Sequence, residues 1–261
     1  MNKKRFSDQI VIVTGGARGI GASICESFAQ EGAQVICDYN PSERSREAFP
    51  LLRDKIEAFG GHITGYECDV SDYEAVRKMA SDIAGQFGHI DVLVNNAVKA
   101  VIRKFNEITP DDYNSMFSVN VAGAFWCTQA VLNQMLTQGY GSVVFISSNA
   151  SVNGGAGSCL YPACKGAVES LMHGLINEVA SKNIRINVVR PGWVSTELNM
   201  NRYSEEQYAR YLDSLPMKRA GDPAEVAQSV LFMADRNDNG YVNGAILDVD
   251  GARTYNLRPK Y

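Results

Sequence analysis

Short β-branched runs alternate with longer segments of helical period along most of the chain, and this alternation limits the fold more than any other feature. The runs are Ile10 to Thr14, Gln34 to Asp38, Ile63 to Glu67, Val92 to Asn95, Ser142 to Ser147, Arg185 to Val189 and Ala245 to Val249. Helical segments lie between them, near Ile20 to Gln30, Tyr73 to Phe87, Asp111 to Leu136, Pro162 to Ser181 and Pro223 to Met233. Strand then helix, repeated, is the signature of a parallel sheet wrapped by helices. The segment from Pro41 to Phe59 is expected to be a helix interrupted near Pro50, since an interior proline removes a hydrogen bond and crowds the preceding turn. No internal repeat or low-complexity linker divides the 261 residues, so a single α/β domain over 1–261 with seven strands is predicted.

Composition excludes several classes of function. Lys and Arg total 25 against 29 acidic residues, a formal charge of -4, and no block of five like charges occurs. A nucleic-acid partner is therefore not expected, because phosphate neutralisation needs a basic stripe. Cys25, Cys37, Cys68, Cys127, Cys159 and Cys164 show no CxxC pairing and fall mostly in apolar runs. They read as reduced, buried packing thiols of a cytoplasmic protein, with no metal or disulfide role. His62, His89 and His173 are scattered without ligand spacing and read as loop or surface residues. The apolar run from Ile10 is too short for a signal sequence or a membrane span and reads as a first strand.

Gly15, Gly19 and Gly21 follow that strand and open a helix, so backbone N–H groups and the helix N-terminus suit a pyrophosphate. A glycine pattern alone is weak evidence. Here Asp69 ends the third strand in ECDV, where its carboxylate suits an adenine amino group, and Asn95-Asn96-Ala97 ends the fourth. Ligands of open α/β sheets bind beyond the carboxyl ends of the strands, so the three segments converge on one crevice.

Tyr161 and Lys165, in YPACK, sit four residues apart just after a serine-containing strand. On a helix such side chains share one face about 6 Å apart. An ammonium at Lys165 then stabilises the Tyr161 phenolate and lowers its pKa, giving a proton donor and acceptor usable near neutral pH. In isolation the pair is an ordinary exposed one. In register with the glycine turn it points to a redox enzyme.

On these motifs the chain resembles the short-chain dehydrogenase/reductase family from about Ile10 to Gly251. The family's TGxxxGxG turn is matched by Thr14 to Gly21, its NNAG element by Asn95 to Val98, and its catalytic Asn, Ser, Tyr and Lys by Asn120, Ser148, Tyr161 and Lys165. The thirteen-residue step to Tyr161 selects Ser148 over Ser147. The resemblance implies a Rossmann fold, a doubly wound parallel sheet with helices on both faces. It implies a nicotinamide cofactor held by Gly15, Arg18, Gly19, Ile20, Gly21, Tyr39, Asp69, Val70, Asn96 and Ala97, by Tyr161 and Lys165, and by Pro191, Gly192, Val194 and Thr196. Tyr161 is expected to move the proton and Ser148 to fix the carbonyl oxygen. By resemblance, Lys165 also holds the nicotinamide ribose and Asn120 supports a water relay. Helix pairing in that family implies a homotetramer, for which Phe117, Val121, Phe125 and Trp126 offer more apolar surface than one sheet face needs. Two departures stand out. Val98 replaces the last glycine of NNAG, where crowding or a shifted loop is expected, and Ala252 replaces the second glycine of the usual GG, with little consequence expected.

NADP is expected over NAD. NAD-preferring relatives end the second strand with an acid at the position held here by Tyr39, whereas Asp38, one residue early, points to the opposite face. Arg18 can face a 2'-phosphate, and Ser42, Arg44 and Arg46 lie just beyond the strand. The span 193–221, with Met200, Tyr203, Tyr208, Tyr211, Leu212 and Met217 behind Trp193, reads as a substrate lid over an apolar pocket. The substrate expected is a largely apolar ketone or secondary alcohol, with Lys99 and Arg103 available to anchor a carboxylate. A 3-oxoacyl carrier-protein reductase and an NAD-dependent alcohol or sugar dehydrogenase are the alternatives; a nucleotide-sensing protein without turnover is disfavoured by the intact tetrad.

Overall fold

The computed structural model describes residues 4–154, 158–200 and 203–255. Seven strands form one all-parallel sheet: β1 (Ile10–Val13), β2 (Gln34–Tyr39), β3 (His62–Glu67), β4 (Val92–Asn95), β5 (Gly141–Ile146), β6 (Ile184–Pro191) and β7 (Ile246–Val249). Their order is β3-β2-β1-β4-β5-β6-β7, so the sequence reverses direction between β1 and β4. A crevice opens at that switch point beyond the carboxyl ends of the strands.

Strand alternation builds a core on each face. Val11 and Val13 of β1 pack on one side with Val35 and Cys37 of β2. Ile10 and Ile12 pack on the other with Ile36 and Leu93. Helices α1 (Gly19–Gln30) and α2 (Glu43–Ala58) cover the first face, joined late in the chain by α10 (Pro223–Ala234). The second face is covered by α3 (Tyr73–Phe87), α5 (Ala124–Gln138) and α7 (Leu160–Val179). Arg185 on β6 is buried and donates to the carbonyls of Met233, Ala234 and Val242, tying the C-terminal end of α10 to the sheet.

Two expectations need correction. Helix α2 runs unbroken through Pro50, because Phe49, Leu52 and Ile56 are buried against the sheet and their packing outweighs the lost hydrogen bond. The segment Asp111 to Leu136 is not one regular helix: α4 (Pro110–Phe117) passes through a π-helical turn, Ser118–Gly123, into α5. Such turns recur at functional sites. The span 193–221 is helical in part, containing α8 (Glu197–Met200) and α9 (Glu205–Asp213); residues 201 and 202 lie outside the described residues. A short helix, α6 (Ala150–Asn153), follows β5. No helix among the described residues is long and apolar enough to cross a membrane.

Candidate active site

The glycine turn is locked to β4 by two side chains. Thr14 Oγ1 accepts from the backbone N–H of Asn96 and of Ala97, both at 3.0 Å, while Asn96 Nδ2 donates to the carbonyls of Thr14 and Gly15 at 2.9 and 3.0 Å. Close approach explains the glycines. A Cβ on Gly15 would lie 2.8 Å from Ala97 Cα, one on Gly21 would lie 2.3 Å from the Gly15 carbonyl oxygen, and Gly15 and Gly19 both have positive φ. Helix α1 has no acidic residue in its first turn, and no side chain caps it. Ile20 packs partly against the core behind the turn. The turn and α1 therefore present bare backbone and a helix N-terminus to an anion, which fits the diphosphate of a dinucleotide.

Around this turn lie the other residues named for the cofactor, at the same end of the sheet. Asp69 accepts from Ser71 N and Oγ through Oδ1, and Val70 is buried against Gly123, where a Cβ would meet Val70 Cγ2 at 2.7 Å. Pro191 ends β6, and Gly192 donates to Val249 O at 3.0 Å. Val194 is buried and bridges to Gly221, while Thr196 Cγ2 stands 3.5 Å from the position of a Cβ on Gly19. At the end of β2, Tyr39 stacks on Phe49 with ring centroids 5.1 Å apart. Asp38 is buried, its Oδ1 has no hydrogen-bond partner, and burial pushes its carboxyl well above the usual range. Arg46, just beyond the strand, is held by Glu67 through Nε and NH2 at 2.6 and 2.7 Å, and Ser42 caps α2. Arg18 and Arg44 instead converge on Glu197.

The proposed proton-transfer residues also gather here. Lys165 Nζ lies 5.8 Å from the centre of the Tyr161 ring, so the four-residue spacing does place both on one face. Lys165 is buried and donates to Ile146 O at 2.7 Å; burial pushes its pKa down to about 8. Ser148 Oγ accepts from Ala150 N at 3.1 Å, whereas Ser147 Oγ donates to Glu169 Oε1 and to Lys165 O. The hydroxyl of Ser147 is thus committed to structure. Asn120 sits in the π-helical turn, where its Nδ2 donates to Lys99 O at 2.8 Å and its Oδ1 accepts from Lys99 N at 3.0 Å. This pairing fastens the segment after β4. Thr14, Asn95, Asn120 and Lys165 line one small cavity, and Asn95 Oδ1 is buried without a hydrogen-bond partner.

Residues unremarked in the sequence complete the frame. Glu169, one turn beyond Lys165, accepts from Ser147 Oγ (2.5 Å), Ser151 Oγ (2.6 Å) and Arg190 Nε and NH2 (3.0 and 2.9 Å), and Arg190 NH1 reaches Asp248 at 3.1 Å. One acid thereby joins β5, α6, α7 and β6. Its spacing from Lys165 and the position of Arg190 before Pro191-Gly192 are visible in sequence, but their pairing is not.

Other readings change. Cys159 is exposed rather than buried; the other five cysteines are buried and all six are free. Ala252 has φ 65°, in the left-handed region, so replacing the family's glycine there does carry strain. Val98 does not share that conformation and is exposed, so its backbone has no need of glycine. Trp193 packs on Tyr211 and Tyr203, at 4.5 and 5.7 Å between ring centroids. Phe117 stacks on Tyr113 and Trp126 packs edge-on against Tyr73, leaving Phe125 and Tyr113 as the exposed aromatics of the α4–α5 segment.

The fold and this site define a dinucleotide-dependent oxidoreductase. Residues 9–207 match the family model described as short chain dehydrogenase, and the chain belongs to that family, whose members are NAD(P)-dependent oxidoreductases acting on CH–OH groups. It is 34% identical over 255 residues to the L-rhamnose-1-dehydrogenase of Scheffersomyces stipitis, covering 97% of this chain and 98% of that one. It is 33% identical to the 3-oxoacyl-[acyl-carrier-protein] reductase of Thermotoga maritima (95% and 98% covered) and 33% identical to the 3alpha-hydroxysteroid dehydrogenase of Mediterraneibacter gnavus (95% and 97%). A solved short-chain dehydrogenase/reductase mutant of Serratia marcescens superposes with a TM-score of 0.86 at 30% identity, covering 96% of this chain and 99% of that one.

Proposed function

We propose that this enzyme interconverts a carbonyl and a secondary alcohol with NADP(H), acting on a largely apolar substrate. The observation that carries the substrate class is the set of exposed apolar side chains on the segments that follow β4, β5 and β6: Val98 and Ile102, Val152, and Met200 and Met217. Exposed apolar side chains on the segments that leave the carboxyl ends of these strands suit a ligand that buries them. A matched panel of cyclic ketones, acyl thioesters and aldoses tests the reading: the cyclic ketones should give the highest kcat/KM, and higher values for the aldoses would overturn it.

The NADP assignment rests on Arg18 and Arg44 together with the absence of a presented carboxylate at the end of β2, where Tyr39 is stacked and Asp38 is buried. Gly15, Gly19 and Gly21 would hold the diphosphate, Asp69 and Val70 the adenine, and Pro191, Gly192, Val194 and Thr196 the nicotinamide end. When bound, that cofactor supplies or accepts the hydride. Tyr161 gives a proton to the oxygen of the reacting carbonyl, or takes it from the alcohol, while Ser148 holds that oxygen in place. Lys165, charged below about pH 8, favours the phenolate form of Tyr161. Asn120 holds the Lys99 segment and keeps the π-helical turn beside Lys165. In the tested enzyme, kcat/KM should be higher with NADPH than with NADH, and Arg18→Ala should shrink the ratio.

A second reading, an aldose dehydrogenase, is favoured by one observation. Trp193 Nε1 and Tyr211 OH are both buried without a hydrogen-bond partner inside the aromatic cluster of the lid, and two such groups suit a hydroxylated ligand. Two of the relatives carry the name L-rhamnose dehydrogenase. Carrier-protein docking has less support, since Arg103 pairs with Asp112 and Lys104 lies 4.0 Å from Glu107. The pairing of Arg103 also argues against its use as a substrate anchor. The exposed Phe125 and Tyr113, together with the family, support a homotetramer, and the free, mostly buried thiols support a cytoplasmic location. Light scattering showing a stable monomer at micromolar concentration would rule the tetramer out.

A further inference from the structure

Glu197 is the first residue of α8, at the start of the lid. Its Oε1 pairs with Arg44 NH2, and its Oε2 lies 4.0 Å from Arg18 NH1. The two arginines come from separate elements, the glycine turn and the first turn of α2, and the only acidic side chain that either one pairs with among the described residues is this carboxylate. Arg18 and Arg44 are near enough to repel one another, so an anion between them relieves a real cost. Thr196, the residue before Glu197, stands near Gly19, its Cγ2 3.5 Å from where a Cβ on that glycine would lie. The start of the lid therefore lies across the glycine turn with its acid seated in a two-arginine anion site.

We propose that Glu197 competes with the cofactor's 2'-phosphate for Arg18 and Arg44, and so sets how strongly the enzyme discriminates NADP(H) from NAD(H). The inference rests on the reading that these arginines receive a 2'-phosphate. A phosphate brings nearly two negative charges and three acceptor oxygens to guanidinium groups built for forked binding, so it displaces a single carboxylate. An unphosphorylated ribose gives no such competitor and leaves the pairs in place. Because all three side chains are well exposed, the competition is modest and sensitive to salt.

Binding of 2',5'-ADP and of 5'-AMP, measured by calorimetry at low and at high salt, tests this on the purified protein. Glu197→Gln keeps the shape of the side chain at an exposed position. It should tighten 2',5'-ADP by about three- to tenfold at low salt, change 5'-AMP by less than about twofold, and lose most of its effect at high salt. In the Arg18→Ala/Arg44→Ala double variant the same substitution should give no gain, since both partners through which Glu197 acts are gone. Unchanged or weaker binding of 2',5'-ADP by Glu197→Gln would overturn the proposal, as would an equal gain for 5'-AMP or a gain that survives loss of both arginines. The NADP reading fails by a different result: Arg18→Ala leaving 2',5'-ADP binding untouched.

Discussion

Replacing Arg190 by Met should destabilise the protein far more than an ordinary surface change, because it strands two acids. The side chains of Arg190 and Glu169 are 12% and 11% exposed. Burial alone would raise the Glu169 pKa, yet hydrogen bonds from Arg190, Ser147 and Ser151 outweigh it and hold the carboxyl below its ordinary value. Removing one partner of a buried ion pair costs about 3–5 kcal/mol. Ser147 and Ser151 still donate to Glu169 in the variant, which places the loss at the lower end, about 3 kcal/mol. At about 2–4 °C per kcal/mol for a domain near this size, the melting temperature should fall by roughly 6–12 °C at pH 7. The sign with pH follows from the depressed folded-state pKa. Stability from the Glu169 carboxylate is present above its unfolded pKa, about 4.3, and is lost as pH falls through the lower folded value. Without Arg190 that advantage is gone, so the gap between wild type and variant should narrow as pH falls below about 4.3. Thermal unfolding followed by circular dichroism across that range is the assay. A fall of less than about 2 °C at pH 7, or a gap that widens in acid, would refute the reasoning.

Tyr161→Phe should keep cofactor binding while cutting turnover by about a hundredfold or more; retention of more than roughly a tenth of the activity would dismiss Tyr161 as the proton donor. Carbonyl reduction should decline as pH rises past about 8, where Lys165 loses its charge, and a flat profile through pH 9 would count against that role. Because the folded-state pKa of Lys165 is lowered, its burial is a cost that is full below about 8 and disappears above its unfolded value. Lys165→Met should therefore abolish activity without lowering the melting temperature at pH 7, and a marked drop would contradict the buried-charge account. Ala252→Gly should stabilise by about 0.5–1 kcal/mol, since relief of left-handed backbone strain exceeds glycine's entropy cost; a lower melting temperature would disprove it.

Strand positions and the glycine turn were legible because they rest on local pattern: every predicted strand overlaps an observed one, and α3 has the bounds its periodicity gives. The opposite-face placement of Asp38 followed from the two-residue period of a strand. What escaped was decided by contacts between distant segments. Helix α2 survives Pro50 only because Phe49, Leu52 and Ile56 find the sheet. Glu197 meets Arg18 and Arg44 from the far end of the chain, and Glu169 meets Arg190 across two elements. Helix α9 is a different case: both the Ser204 and Gln207 capping box and the helical spacing of Tyr208, Tyr211 and Leu212 are readable in the sequence. Phe117 and Trp126 show the limit of counting apolar residues, since both find partners within the subunit.

At the base of the span 193–221, Gly221 N donates to Trp193 O at 2.8 Å and Ser195 N donates to Gly221 O at 2.9 Å. The two ends of the excursion are thus stitched together before the chain departs for α8 and α9. A loop closed at its own neck behaves as a cassette. Its closure is already met by those hydrogen bonds, and lengthening it twofold adds only about 0.6 kcal/mol. The stretch beyond Glu197 can therefore vary without disturbing Ser148, which follows β5, or Tyr161 and Lys165, which are carried by α7.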